Sequence, residues 1–424
     1  MSAAPHKAIA TVWRMESTRL IGGLMRLVRD LSLAEDLAQD ALVAALEQWP
    51  QGGVPDNPGA WLMAAAKHRA IDRLRRNDMA QRKHEQLGVE QELHELLQAP
   101  DGEQLDDSVG DDVLRLIFIA CHPVLSSEAR AALTLRLIAG LTTDEIARAF
   151  LQPEPTIAQR IVRAKRMLTN AHVPFEVPPA AELAQRLSSV LGVIYLIFNE
   201  GYAATAGDDL MRPQLCEEAM RLGRILVALM PREAEAQGLL ALMEIQASRA
   251  VARVDANGEP ILLLQQDRAR WNQLLIRRGL AALARTEELG GGAGFYALQA
   301  AIAACHARAR AAADTDWLRI AALYGALAQV APSPVIELNR AVAVSMAFGP
   351  AAGLVIADAL QHEASLANYH LLPSVRGDLL ARLDRRGEAA AEFRRAAALT
   401  RNVREQALLQ RRAAECLERR TTDG

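Results

Sequence analysis

One segment of this 424-residue chain has side chains that can bond nucleic acid bases and phosphates. A helix beginning at Thr156 would place five polar or basic residues on one face, and Lys165 belongs to the same helix. Arginine can bond the edge of guanine in a fork, and glutamine and threonine can bond bases or phosphates. This chemistry suits the major groove of DNA. The candidate contact residues are Thr156, Gln159, Arg160, Arg163, Lys165 and Arg166.

Two predicted helices, in the arrangement of a helix-turn-helix, must position that face. Thr142 or Thr143 is the expected N-cap of the first helix. Pro153 and Pro155 separate it from the second helix, which is expected to start at Thr156. The alternative is a solvated basic helix in an ordinary bundle. The expected buried positions are Ile146, Ala147 and Phe150 in the first helix and Ile157, Ile161, Ala164 and Leu168 in the second.

A second basic helix is predicted from Asn57, in the sequence NPGAWLMAAAKHRAIDRLRRN. Its cations form a strip that can follow a phosphate backbone, although a helix this rich in arginine is often only a solvated one. Upstream, SLAEDLAQDALVAALEQW predicts a helix with Asp36, Gln39 and Asp40 on its polar face. The candidate residues of the basic helix are Trp61, Lys67, His68, Arg69, Arg73, Arg75 and Arg76.

Composition favours an all-α protein of two or three domains, since hydrophobic residues make up 51% of the chain and aromatic residues only 4%. Two lobes are mildly basic. Residues 1–84 hold 12 Lys and Arg against 9 Asp and Glu, and residues 113–172 hold 8 against 4. Between them, residues 85–112 hold ten acids and neither Lys nor Arg, which predicts a flexible acidic linker.

The chemistry that the sequence lacks also narrows its function. Cys121, Cys216, Cys305 and Cys416 are far apart, which predicts reduced, buried thiols and neither a zinc site nor a disulfide framework. We recognise no nucleophile with a base, no carboxylate pair and no phosphate-cradling glycine motif, so we expect neither an enzyme nor a cofactor. A signal peptide and a membrane-spanning run are not apparent either, which predicts a cytoplasmic protein without a membrane partner.

In this order and spacing, the three segments resemble bacterial sigma factors of the extracytoplasmic-function type, which contain only regions 2 and 4. AEDLAQDAL is similar to region 2.2, which implies that Asp36, Gln39 and Asp40 bind the β′ clamp helices of core RNA polymerase. WLMAAAKHRAIDRLRR is similar to regions 2.3 and 2.4, which capture the melted −10 strand of the promoter. The segment LSSEARAALTLRLIAGLTTDEIARAFLQPEPTIAQRIVRAKRML is similar to region 4. Its recognition helix would contact the −35 element, and the polymerase β flap is a further implied partner.

The rest of the chain, after the proline-rich segment HVPFEVPPA, predicts stacked helix pairs. Gly377, Ala389, Phe393 and Ala396 fit the tetratricopeptide pattern of small residues at a helix crossing and one aromatic side chain. The region resembles the tetratricopeptide-like extension of one sigma-factor group. Stacked pairs build a concave surface that commonly binds a protein or peptide.

Six polar and aromatic residues of this region have two possible roles. They can line the concave surface or a small-ligand pocket, or they can cap helices and satisfy buried polar groups. The sequence leaves both roles open. The six are Asn199, Glu200, Tyr202, Asp267, Arg268 and Trp271.

The predicted organisation is region 2 over residues 1–84, the acidic linker over 85–112, region 4 over 113–172 and a helical C-terminal domain over 173–424. The favoured function is a sigma factor whose activity is controlled by that fused domain. The alternative is a helix-turn-helix regulator with a helical sensor domain that does not direct polymerase. The first 84 residues discriminate between them, because only a sigma factor must hold melted bases.

Overall fold

The computed structural model describes residues 3–81, 105–150, 152–203, 206–207, 210–255 and 258–418. These segments are mainly α-helices joined by short turns. Their strands are two residues long, β1 (Ala206–Gly207) and β2 (Arg401–Asn402), and they pair in parallel. The predicted all-α fold is confirmed.

The chain forms two compact units, Met1–Val193 and Ile194–Gly424. The N-terminal unit contains seven helices in the described residues and the first part of an eighth. They are α1 (Ala3–Val28), α2 (Leu31–Gly52), α3 (Pro58–Gln81), α4 (Leu105–Ala120), α5 (Ser127–Leu137), α6 (Thr143–Phe150), α7 (Glu154–Asn170) and α8 (Ala180–Tyr202).

Helices α1, α2 and α3 pack through aliphatic side chains that recur at helical spacing. Leu24, Leu37 and Leu62, one from each helix, are at most 1% exposed. Asp30 caps α2 by accepting a hydrogen bond from the amide of Leu33 at 2.8 Å. The three helices therefore form one small core whose outer faces are polar.

The helix-turn-helix forms as predicted, with two differences. Phe150, which was predicted to be buried, is half-buried, because it is the last residue of the first helix, α6. Thr142 and Glu145 form a reciprocal capping box at the start of α6, with bonds of 2.8 and 3.1 Å. Helix α7 begins at Glu154, two residues before the predicted start, because Pro155 fits the first turn of a helix, where no amide donor is needed. The positions predicted to be buried in α7 are buried: Ile157, Ile161, Ala164 and Leu168.

The predicted acidic linker lies mostly at residues 82–104, outside the described part of the chain. Its last eight residues belong to α4, which begins at Leu105. Asp112 is only 1% exposed and pairs with Arg26 of α1 at 2.9 Å and with Arg115 at 3.0 Å. The end of this acidic stretch is therefore packed against region 2 by ion pairs that the local sequence does not reveal.

Helix α8 is the one helix of the described residues that is long and apolar enough to cross a membrane, judged by length and composition alone. This is weak evidence, because core helices of other proteins pass the same test. Its first part has partners within the N-terminal unit. Arg186 and Ser189 donate to the backbone carbonyls of Phe118 and Cys121 at 3.0 and 2.6 Å.

The C-terminal unit consists of antiparallel helix pairs and short 3-10 turns. Gly377 lies against the ring of Phe393, where a Cβ would approach the ring within 2.9 Å, and Phe393, Ala389 and Ala396 are buried as the repeat pattern predicts. The helices are α9 (Pro213–Leu229), α10 (Ala234–Ser248), α11 (Gln273–Glu288), α12 (Phe295–Arg308), α13 (Trp317–Val330), α14 (Pro334–Phe348), α15 (Pro350–Ala359), α16 (Leu371–Arg382), α17 (Arg386–Leu399) and α18 (Val403–Glu418).

Candidate nucleic-acid interface

The outer face of α7 has the exposed polar side chains that the sequence predicts. Thr156, Gln159, Arg163 and Arg166 are exposed, while the opposite stripe of the helix is buried against the rest of the unit. Val162 lies beside them and is 63% exposed, which the sequence analysis did not single out. This face can offer donors to base edges and phosphates together with one apolar contact.

Arg160 lies at the edge of that face. It is half-buried, and its charge acts on Glu128 in the first turn of α5. The pKa of Glu128 is below its usual value, mainly because of hydrogen bonds from the backbone and from Ser126, with the Arg160 charge contributing. Arg160 is therefore less available to DNA than Arg163.

Lys165 faces the N-terminal helices and not the outer surface. Its ammonium group forms an ion pair with Glu35 of α2, and Arg136 of α5 donates to the same carboxylate at 2.7 Å. Glu35 is 4% exposed. Burial alone would raise the pKa of Glu35, but the charges of Lys165 and Arg136 and their hydrogen bonds outweigh it and lower the pKa below its ordinary value.

The residues of α3 predicted to contact the −10 strand have varied surroundings. The half-buried Trp61 packs edge-on against the buried Trp49, with ring centroids 5.3 Å apart. Lys67 is half-buried and His68 is exposed. Arg69 bonds the backbone carbonyl of Asp40. The side chains of Arg73, Arg75 and Arg76 lie outside the described residues.

The outer face of α2 combines acids with apolar side chains. Asp36 and Asp40 are exposed, and Gln39 donates to Glu35 at 3.0 Å. On the same face Val43 is 49% exposed and Leu46 is 37% exposed. An apolar centre with a polar rim is the usual composition of a protein interface. The polar residues of this face were predicted from the sequence. The exposed apolar ones were not, because apolar residues of the helix were expected to lie in the core.

Within the described residues, no group of three or more metal-ligating side chains is close enough to hold an ion. The four cysteines are not in disulfides: Cys121, Cys216 and Cys305 are buried, and Cys416 is half-buried. Burial raises the pKa of the Cys121 thiol to about 11. Such thiols remain protonated and are poor nucleophiles at neutral pH.

Comparison with known families defines the class of protein. Residues 13–79 match sigma-70 region 2, and residues 115–168 match sigma-70 region 4. Residues 186–287 match a family of unknown function, DUF6596. No solved structure matches the chain. The α1 to α3 bundle and the helix-turn-helix therefore correspond to sigma-70 regions 2 and 4, and the chain is a DNA-binding factor of transcription initiation.

Similar proteins define the type. An uncharacterised protein of Rhizobium meliloti is 43% identical over 392 residues, 92% of this chain and 91% of its own length. The probable ECF RNA polymerase sigma factor SigI of Mycobacterium tuberculosis is 24% identical over 41% of this chain and 59% of its own length. The ECF RNA polymerase sigma factor SigK of a Mycobacterium species is 28% identical over 38% of this chain and 82% of its own length. The chain belongs to the sigma-70 family and is of the extracytoplasmic-function type.

Proposed function

We propose that this protein binds core RNA polymerase and directs promoter-specific transcription initiation, with its C-terminal helical domain modulating that activity. The observation that supports the proposal best is the two-sided α7 helix. Its inner stripe packs in the unit, and its outer face exposes Arg163 and Arg166 beside Gln159. Exposed cations such as Arg163 and Arg166 can bond phosphates and guanine edges.

The assignment divides the contacts among three helices. In this proposal α7 contacts the −35 element and α3 holds the melted −10 strand. The outer face of α2 docks on the β′ clamp helices, with Val43 at the centre of the acidic rim and Leu46 beside it. Region 4 also meets the β flap. The protein acts in the cytoplasm, needs no cofactor and is not an enzyme.

Reconstitution with core polymerase tests this function directly. The full-length chain, added to core enzyme and a library of genomic promoter fragments, should give transcripts that start at defined positions downstream of a shared sequence. Core enzyme alone should not produce them. Binding to a duplex without binding to core polymerase would instead favour the helix-turn-helix regulator that does not direct polymerase.

Truncation tests the role of the C-terminal domain. A chain stopped at Val193 keeps the contacts of Arg186 and Ser189, whereas one stopped at Val173 loses them. We expect the Val193 chain to fold and to bind DNA weakly, with altered promoter-dependent transcription. Equal transcription by the truncated and full-length chains, across promoters and growth conditions, would contradict modulation by the C-terminal domain.

A further inference from the structure

Arginines in the C-terminal unit commonly have carboxylate partners. Arg224 donates two hydrogen bonds, of 2.8 and 3.0 Å, to Glu244, which is 2% exposed. Arg376 pairs with Asp358 at 2.9 Å and also with Glu392. Such pairing is expected, because a cation removed from water without an anion is strongly destabilising.

Arg249 and Arg253 depart from this rule. Both are half-buried, and both guanidinium groups face the ring of Tyr202, with centroid distances of 5.5 and 3.9 Å. Arg253 donates to the backbone carbonyl of Tyr202, and Arg249 donates to the side chain of Gln246 at 3.0 Å. Within the described part of the unit, neither is within ion-pair distance of a carboxylate, although the charge of Glu405 acts on Arg253 from farther away. Both guanidinium groups therefore face the same tyrosine ring.

Two more arginines, Arg268 and Arg270, lie near these cations. The 3-10 turn Ala250–Ala252 packs on the turn Arg268–Arg270, where Arg270 donates to the carbonyl of Val251 at 3.0 Å. Arg268 is 8% exposed and bonds carbonyl and hydroxyl oxygens. Burial, followed by the charges of Arg249 and Arg268, lowers the pKa of the neighbouring His306 to about 4. The histidine is therefore neutral at pH 7 and provides no anion.

Two polar atoms beside these cations are buried and unsatisfied. The hydroxyl oxygen of Tyr202 and Nδ1 of His306 have no hydrogen-bond partner in the described residues. Buried polar groups are ordinarily paired, and an unpaired one calls for an explanation such as an absent ion or ligand. Asp267 and Glu200, by contrast, are used in a turn cap and in an ion pair with Arg212.

We propose that Tyr202, Arg249 and Arg253 bind the phosphate group of a small molecule, either inorganic phosphate or a phosphomonoester. A phosphomonoester carries about two negative charges at pH 7, which matches two guanidinium groups, whereas a carboxylate would leave one cation uncompensated. Its oxygens accept the paired donors of an arginine fork. The C-terminal domain would then bind a small molecule at a site separate from the residues proposed to contact DNA and polymerase.

Calorimetric titration of the full-length chain tests this site. The probes are inorganic phosphate, glycerol phosphate, acetate and chloride, all at matched ionic strength. We expect saturable binding of one phosphate or glycerol phosphate per chain and no comparable binding of acetate or chloride. The tighter of the two phosphates identifies the free ion or the ester as the natural ligand class.

Substitutions locate the binding. Arg249→Gln removes one cation, and Arg253→Lys keeps the charge but loses the fork, so each should weaken phosphate binding by roughly tenfold or more. Arg277→Gln, at an exposed position in α11, is the matched control and should bind as the unsubstituted chain does. Far-ultraviolet circular dichroism checks that each variant is folded. If Arg253→Lys unfolds, phosphate binding by Arg249→Gln alone tests the site. Absence of phosphate binding, equal binding of acetate, or phosphate binding unaffected by Arg249→Gln would each overturn the proposal.

Discussion

Two pairs of arginines, one pair in each unit, lie in opposite environments. In the N-terminal unit, Arg163 and Arg166 of α7 are exposed on the surface proposed to meet DNA. In the C-terminal unit, Arg224 and Arg376 are tied to carboxylates on neighbouring helices. A surface cation is free to exchange water for a phosphate, whereas a paired one holds two helices together. Whether an arginine is exposed or paired with a carboxylate therefore indicates its role better than the net charge of the unit does. Exposed arginines belong to a binding surface, and paired ones hold helices together.

Each unit also contains an exception. Lys165 and Arg136 of the N-terminal unit are paired with the buried Glu35. Arg249 and Arg253 of the C-terminal unit lack carboxylate partners among the described residues. We therefore expect the ion pairs of Glu35 to be structural, and Arg249 and Arg253 to form a binding site.

The largest expected effect is on stability. Glu35→Gln leaves Lys165 and Arg136 partly buried without an anion, and breaking a buried ion pair in this way costs about 3 to 5 kcal/mol. Hydrogen exchange should therefore accelerate in α2 and α7 of the full-length chain. The matched control is Glu47→Gln, an exposed acid on the same helix. Unchanged exchange in α7 would show that the ion pairs contribute little to holding region 4 on region 2.

Acidification should remove the same stabilisation. The folded-state pKa of Glu35 is lowered, so its contribution is fully present above the unfolded pKa and is lost as pH falls through the folded pKa, below the ordinary value of 4.5. Urea unfolding monitored between pH 7 and pH 3 should show a smaller loss of stability in Glu35→Gln than in the unsubstituted chain. Identical pH profiles for the two chains would argue against a lowered pKa.

Next in size is the effect on core binding. The double substitution Asp36→Ala with Gln39→Ala removes polar groups from the outer face of α2, and truncations at an interface centre can cost about 2 kcal/mol or more. Co-purification with core polymerase should be lost while the circular dichroism spectrum is retained. Asp56→Ala, an exposed acid outside α2, controls for net charge. Retained co-purification would remove the region 2.2 assignment.

The effect on base preference should be of similar or smaller size. Arg163→Ala should lose about 1 to 3 kcal/mol of discrimination at one position of the −35 element. Arg160→Ala should have less effect, because Arg160 is half-buried beside Glu128. The control is Arg148→Ala, an exposed arginine of α6. Binding that weakens equally for all promoter variants would show that Arg163 contacts phosphate and not a base.

The smallest expected effect concerns Val162. An exposed valine on this face can contact the methyl group of thymine, and burying one such group contributes about 0.8 kcal/mol. Replacing thymine by uracil at one −35 position should weaken binding of the unsubstituted chain and leave Val162→Ala unaffected. Promoters carrying uracil at each thymine in turn would measure this. Equal responses of the two proteins at every position would exclude the contact.

The sequence predicted the local parts of the interface well. The stripe from Ile157 to Leu168 follows from helical periodicity, and the N-cap was predicted at Thr142 or Thr143, of which Thr142 caps the helix. Both depend on neighbours along the chain. The resemblance to regions 2 and 4 likewise rested on motifs within continuous segments of the chain, and the family comparisons confirm both regions.

Contacts between distant segments could not be predicted in the same way. Glu35 stands next to Asp36, between Ala34 and Leu37, and its partner Arg136 is 101 positions away. Nothing in either local pattern distinguishes the buried acid from its exposed neighbour. Lys165 was assigned to DNA for the same reason, since periodicity alone does not show which flank of α7 meets α2. The arrangement of Arg249 and Arg253 around Tyr202 likewise depends on the fold.

The Glu35 ion pairs also bear on the affinity for polymerase. In the proposed function, region 2 and region 4 occupy separate promoter elements, so the ion pairs of Glu35 with Lys165 and Arg136 must break when both elements are bound. The binding-competent state is then a minor fraction of the free protein, and the apparent dissociation constant rises in inverse proportion to that fraction. Each 1.4 kcal/mol by which the Glu35 ion pairs favour the closed state weakens polymerase binding about tenfold. If the proposed function holds, the acid that stabilises the free chain also sets the concentration of protein at which transcription begins.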